Sequence, residues 1–274
     1  MNRVRNVELI ALAALAAACS SGDPLDPTSE DPRLSADIAA VVADGVGEDV
    51  QTMRELSMGL HLGGLFLRGT LAPGCPYNAE TGWHDCDPVT LLNGLTIDRQ
   101  YAFFNPAGDP MQFYDPDQTA AIQAQRTVDG EIERETEYGT VSGSVHHERD
   151  LIVSGLQGDE QKRTWNGTGA SEITRTQVSD ERGTRSYELN TEVLVDDVEV
   201  PTWNNSDLDP WPLSGSITIH VQGTLTRNDQ TRSFERTVVI TFDGTQFATA
   251  TVTGPNGSET FTIDLAQRHA RRNR

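Results

Sequence analysis

Apolar side chains recur at every second position through residues 216–221, 237–242 and 261–265, the period that places them on one face of a pleated strand. Residues 227–231, 243–245 and 254–257 lie between these runs and carry Asn-Asp, Asp-Gly and Gly-Pro-Asn-Gly, which supply the dihedrals of tight turns. Four antiparallel strands joined by hairpins are therefore predicted within residues 211–265. From residue 89 onward a looser alternation predicts further strands within 91–104, 111–114, 119–128, 131–140, 145–156, 162–165, 170–178 and 187–200. Their expected turns fall at 105–108, Asp129-Gly130, Ser142-Gly143, Gly158-Asp159, Asn166-Gly167 and 180–183. No helical crossover interrupts the run, so the connections are hairpin-like and the sheet antiparallel.

Ahead of the strands the period changes. Ile38, Val41, Val42, Val46, Val50, Met53, Leu56 and Leu60 follow a helical repeat across residues 34–62, with Ser35 as a candidate N-cap. Gly45 and Gly47 are expected to split or bend that helix, and Met53 and Met58 to act as packing residues. Residues 65–71 read as a first strand and 72–88 as a loop. The predicted fold is mainly β: an antiparallel meander of about ten strands, curved or partly closed into a barrel, with one or two N-terminal helices on its apolar face.

The start of the chain is different again. Arg3 and Arg5 precede an apolar core at residues 9–15, too short to span a bilayer as a mature helix, and then comes Ala16-Ala-Ala-Cys19. This arrangement resembles the bacterial lipobox. The resemblance implies a signal peptide over 1–18, cleavage before Cys19 and lipidation of that cysteine. Several acyl chains anchor a protein stably where one does not. Ser20 and Ser21 lack an inner-membrane retention aspartate, which by the family's rule implies the outer membrane, with the protein facing the periplasm or the cell surface. Residues 19–33, rich in Ser, Pro, Asp and Glu, read as a flexible tether. The resulting organisation is a segment over 34–88 holding the helix and a closed loop, a β domain over 89–266 and a basic tail over 267–274.

A formal net charge of −20 argues against nucleic acid, whose phosphates need a clustered basic surface. Once lipidation takes Cys19, Cys75 and Cys86 remain. In an oxidising envelope they predict a disulfide, and a zinc site with His84 is the alternative. Nucleophile elbows, H-E-x-x-H and phosphate loops are all missing, so neither a catalytic residue nor a cofactor is assigned. His146 and His147 are neighbours on a strand and point to opposite faces, which works against shared metal binding, and His220 is expected to face solvent. Asp115 with Asp117, and Asp207 with Asp209, start acidic loops that do not continue as a known calcium motif.

The longest break in the ladder, 201–212, is the candidate binding loop, with Trp203, Asp207, Asp209 and Trp211. The function expected is that of a non-catalytic, lipid-anchored envelope protein, structural or binding a protein or glycan. A helix-covered, incompletely closed barrel on a lipid anchor is similar to the lipoprotein-localisation carrier and receptor family, which gives a carrier of hydrophobic ligands as the alternative. A hydrolase acting through carboxylates is the second alternative.

Overall fold

The computed structural model describes residues 33–62, 74–91, 94–136, 139–156, 161–179, 183–202 and 211–273. They form one helix, α1 (Leu34–Leu62), and fourteen strands. Five of these are short or early: β1 (Tyr77–Asn78), β2 (Trp83–Asp85), β3 (Val89–Thr90), β4 (Thr96–Phe104) and β5 (Pro110–Met111). Long strands follow: β6 (Ala121–Thr136), β7 (Gly139–Ser154), β8 (Lys162–Ser179), β9 (Gly183–Pro201), β10 (Ser214–Arg227) and β11 (Gln230–Thr241). β12 (Phe247–Gly254), β13 (Gly257–Asp264) and β14 (His269–Arg272) complete the sheet. From β6 to β14 each strand pairs antiparallel with the next, while β2, β3 and β5 all pair with β4. The meander is as expected. The strand count is fourteen rather than about ten, and the sheet does not close into a barrel.

The count is higher because short pieces such as β1, β2, β3, β5 and β14 carry no alternation of their own, whereas local turn signals that lose to long-range pairing merge predicted strands. Asp129-Gly130 is not a hairpin, since β6 runs straight through it with Asp129 opposite His146 and Gly130 opposite Val145. Gly130 sits at φ 152°, and a Cβ there would meet Leu95 Cδ2 at 2.9 Å. Its glycine is thus required for a close crossing rather than for a turn. Ser142-Gly143 likewise lies inside β7. Asn166-Gly167 lies inside β8, at a bulge where the Asn166 side chain binds the backbone N–H and carboxylate of Asp197. Asn228 and Asp229, at φ 51° and 61°, do make the expected two-residue hairpin turn. The basic tail also departs from expectation, because β14 pairs with β13 and extends the sheet. Residues 65–71 lie outside the described residues.

Helix α1 is continuous despite Gly45 and Gly47. Its flanks are supported from outside: the Arg268 side chain fills the space over Gly47, where a Cβ would meet Arg268 Cγ at 2.6 Å. One end of the helix meets β9, where Asp37 pairs with Arg185 and accepts a hydrogen bond from Tyr187. Twenty residues further on, Ser57 accepts one from the fully buried Trp165 of β8, which stands opposite Val198 of β9. Those helical residues rise about 30 Å, and the strand from Tyr187 to Val198 advances about 36 Å. The helix therefore runs along the strands, inside their curve. Ile38, Val46, Val50 and Met53 are essentially without exposure, as are Ile217, Val238, Ile240 and Ile263 on the sheet. Each such side chain contributes about 1.5–3 kcal/mol by leaving water. Of the helix side chains described, only Gln51 and Glu55 are exposed.

Cys75 and Cys86 are joined in a disulfide. Closing so short a loop restricts the unfolded chain and contributes about 2–3 kcal/mol. Thiol labelling of the unfolded, unreduced protein is expected to modify neither cysteine, and labelling of both would disprove the bond.

Candidate functional site

Strand periodicity and register bring three arginines side by side. Arg99 on β4 stands opposite Arg126 on β6, which stands opposite Arg149 on β7. All three fall on the concave face, under the helix. Next along the row is Gly169 on β8, where a Cβ would lie 2.6 Å from Arg149 Cδ, so the glycine makes the room that this guanidinium occupies.

Adjacent acids on the helix meet this row. Asp49 binds Arg149 Nε with both oxygens at 3.0 and 2.9 Å, the two side chains being 6% and 7% exposed. Arg149 Nη1 also donates to the carbonyls of Glu148 and Ala170 and to Ser171 Oγ. Glu48 pairs with Arg126, which donates to Thr52 as well. A helix carrying Glu48 and Asp49 within its apolar stripe is thereby fixed in rotation and register on the sheet. The sequence signal for this was an acid pair inside an apolar helical repeat, together with arginines at inward strand positions.

His147 and His146 split across the sheet as expected. His147 lies under α1, with Asp49 and Glu48 of the helix, Arg149 of β7 and Arg126 of β6 around it, and its Nδ1 has no hydrogen-bond partner. Burial, reinforced by Arg149, lowers its pKa to about 4. His146 on the outer face binds the Asp129 carboxylate at 2.5 Å, and that bond raises its pKa. The space between helix and central strands, where His147 and Ile219 lie, is only about 20 Å³, room for about one water.

A larger opening, about 360 Å³, lies where the two ends of the sheet fail to meet. Val89, Leu91, Ile97, Arg99 and Tyr101 line it from the first strands, Arg268 from the turn before β14, and Glu48, Gln51, Thr52 and Glu55 from the helix. This is where α1 shows its two exposed side chains. Arg268 donates across the seam to Gln51 Oε1 at 2.5 Å. Burial raises the Tyr101 pKa, with Arg99 and Arg126 working against it, so the phenol keeps its proton at neutral pH and is a donor.

Of the candidate binding loop only Trp211 is described; Trp203, Asp207 and Asp209 lie outside the described residues. Trp211 is half-buried, with the Arg54 guanidinium of the helix 4.0 Å from its ring centroid. The stem is held by Thr202 N–H donating to the Gln161 carbonyl and Leu213 N–H to that of Glu199. Cys19 also lies outside the described residues.

The zinc alternative loses its thiolates to the disulfide, and the His84 ring nitrogens face the carbonyls of Cys75 and Gln112 at 3.2 and 2.9 Å. Among the described residues no three His, Cys, Asp or Glu side chains are placed to hold a metal ion. Asp115 accepts the Asp117 N–H at 2.8 Å in a local turn. His220 is exposed and lies 3.2 Å from Thr237 Oγ1. Glu199 is held below the usual carboxylate range by hydrogen bonds from Lys162 and Ser214. Asp264 is also lowered: burial raises it, but bonds from Gln246 and the backbone of Gln267 and Ala266 outweigh that. Both shifts favour the ionised form, the opposite of what a general acid needs. Comparison of the chain with protein-family models, characterised proteins and solved structures finds no match.

Proposed function

We propose that this is a non-catalytic envelope protein, held at a membrane by lipid on Cys19 and presenting its β body to a protein or glycan partner. The observation that supports this reading is the cover that α1 gives the central strands, where the pocket beside His147 and Ile219 is only about 20 Å³. An acyl chain in a carrier gains roughly 0.8 kcal/mol per buried methylene, but here the helix already covers the apolar wall. Binding groups for a protein or glycan partner are thereby left to the outer surface and to Trp211. In this reading the tether over residues 19–33 sets the reach of the body from the membrane.

Fractionation of cells expressing the natural protein and a Cys19→Ser variant tests the anchor. The natural protein is expected in the membrane fraction, with an intact mass that begins at an acylated Cys19, and the variant in the soluble fraction. Retention of the variant at the membrane would place the anchor elsewhere. Organic extraction of the purified protein is expected to release no stoichiometric lipid beyond that on Cys19. Recovery of one would promote the carrier reading.

A further inference from the structure

On a chain of formal net charge −20, the seam cleft is lined by three arginines, Arg99, Arg126 and Arg268, against two glutamates, Glu48 and Glu55. The pairing inside the cleft is uneven. Arg126 is matched by Glu48, whereas Arg268 meets the neutral Gln51 and Arg99 meets the neutral Tyr101 hydroxyl. Arg99 also keeps a buried Nε with no hydrogen-bond partner. A half-buried guanidinium that meets no carboxylate and whose shielded Nε has no partner is an arrangement that an anionic ligand would improve. The opposite character is found beside it, where Val89 and Leu91 are each 40% exposed and Ile97 continues the wall.

We propose that the seam cleft binds a small carboxylate carrying a short apolar chain, with the carboxylate on Arg99 and the chain along Leu91 and Ile97. The planar guanidinium matches a carboxylate through paired N–H donors, and the protonated Tyr101 supplies another. Glu48 and Glu55 sit on the helical side of the same opening, which disfavours a doubly charged phosphate by like-charge repulsion and leaves the single charge of a carboxylate as the better match. Size sets the chain length. At about 360 Å³ the cleft is near the small end of ligand pockets, roughly 300–1,000 Å³, so a short chain fits and a phospholipid does not. The site stands apart from the partner reading above, since neither Trp211 nor the lipid anchor takes part in it.

Two sources present this chemistry, a free acyl acid and the C-terminal residue of a polypeptide, and titration calorimetry of the purified protein distinguishes them. Octanoate represents the first, N-acetylleucine the second, and octylamine is the cationic control. Saturable binding of either carboxylate, with octylamine inert, is the expected result, and the tighter of the two identifies the source. Arg99→Gln is expected to weaken binding about tenfold or more, the effect of losing a charge-assisted hydrogen bond. Leu91→Ser, at a side chain already exposed, is expected to weaken it several-fold while leaving the near-UV circular dichroism unchanged, and it carries the test if Arg99→Gln fails to fold. Octylamine binding as tightly as octanoate, no saturable binding of either carboxylate, or unchanged affinity in the variants would each overturn the proposal.

Discussion

Asp49→Ala destabilises the protein by about 3–5 kcal/mol, the range for breaking a buried ion pair by removing one partner. Arg149 supplies the reason. Its side chain is 7% exposed and is held by two carbonyls and the Ser171 hydroxyl, none of which can neutralise it. Deleting the carboxylate leaves a positive charge that is largely desolvated and has lost its counter-ion. Gly169 makes the position worse, because the guanidinium fits the space over that glycine closely and has little freedom to turn away. Replacing both partners, Asp49→Leu with Arg149→Met, removes the orphaned charge and is expected to cost less than Asp49→Ala alone, a non-additivity that neighbouring residues allow and distant ones do not. Urea unfolding of the natural protein, Asp49→Leu, Arg149→Met and the double variant, with Asp49→Ala beside them, measures this. Asp49→Ala within 1 kcal/mol of the natural protein would mean that the acid pair does not dock the helix.

The features legible in the sequence are those set by local period and local turn chemistry. Two-residue alternation marked the strands of the C-terminal meander, and Asn228-Asp229 turned where its dihedrals demand. The 3.6-residue repeat marked α1 from Ile38 to Leu56, and Cys75 and Cys86 were paired by compartment logic. Misreadings arose where a local signal competed with pairing along the whole strand. Asp129-Gly130 and Asn166-Gly167 are turn dipeptides, yet each is one position in a ladder of 16 to 18 residues whose other hydrogen bonds and packed side chains outweigh the turn preference. At Gly45 and Gly47 helix propensity predicts a break at a cost of roughly 1 kcal/mol each, which burial on nearly every side of α1 overrides. The site was least visible. Arg99, Arg126 and Arg149 are separated by more than twenty residues each, and only the register of β4, β6 and β7 makes them a row. Equally, Arg268 belongs to the seam only because β14 folds back on β13, which a basic, polar tail does not announce.

Acid is expected to weaken this protein through His147 before its carboxylates are neutralised. The folded state holds the His147 pKa at about 4, against about 6.5 in an unfolded chain. Because the folded value is the lower one, the unfolded chain takes up the proton first. Stability is therefore full above pH 6.5, falls as the pH drops from 6.5 to 4, and has lost about 3 kcal/mol at the bottom of that window. Desolvation under α1 is the main cause, with Arg149 and Arg126 adding repulsion that Asp49 and Glu48 only partly offset. His146 works in the other direction: its pKa is raised by Asp129, so whatever it contributes is present below pH 6.5 and lost as the pH rises. Its side chain is 40% exposed, and an exposed pair contributes little. The two neighbours are separable by mutation. His147→Phe, which keeps a ring under the helix without a titrating nitrogen, is expected to flatten the urea midpoint between pH 7 and pH 4, whereas His146→Asn is expected to leave the slope nearly as it was. An unchanged slope in His147→Phe would locate the acid sensitivity in the carboxylates, and with it the ion pairs of Asp49 and Asp37 rather than the histidine lying between helix and sheet.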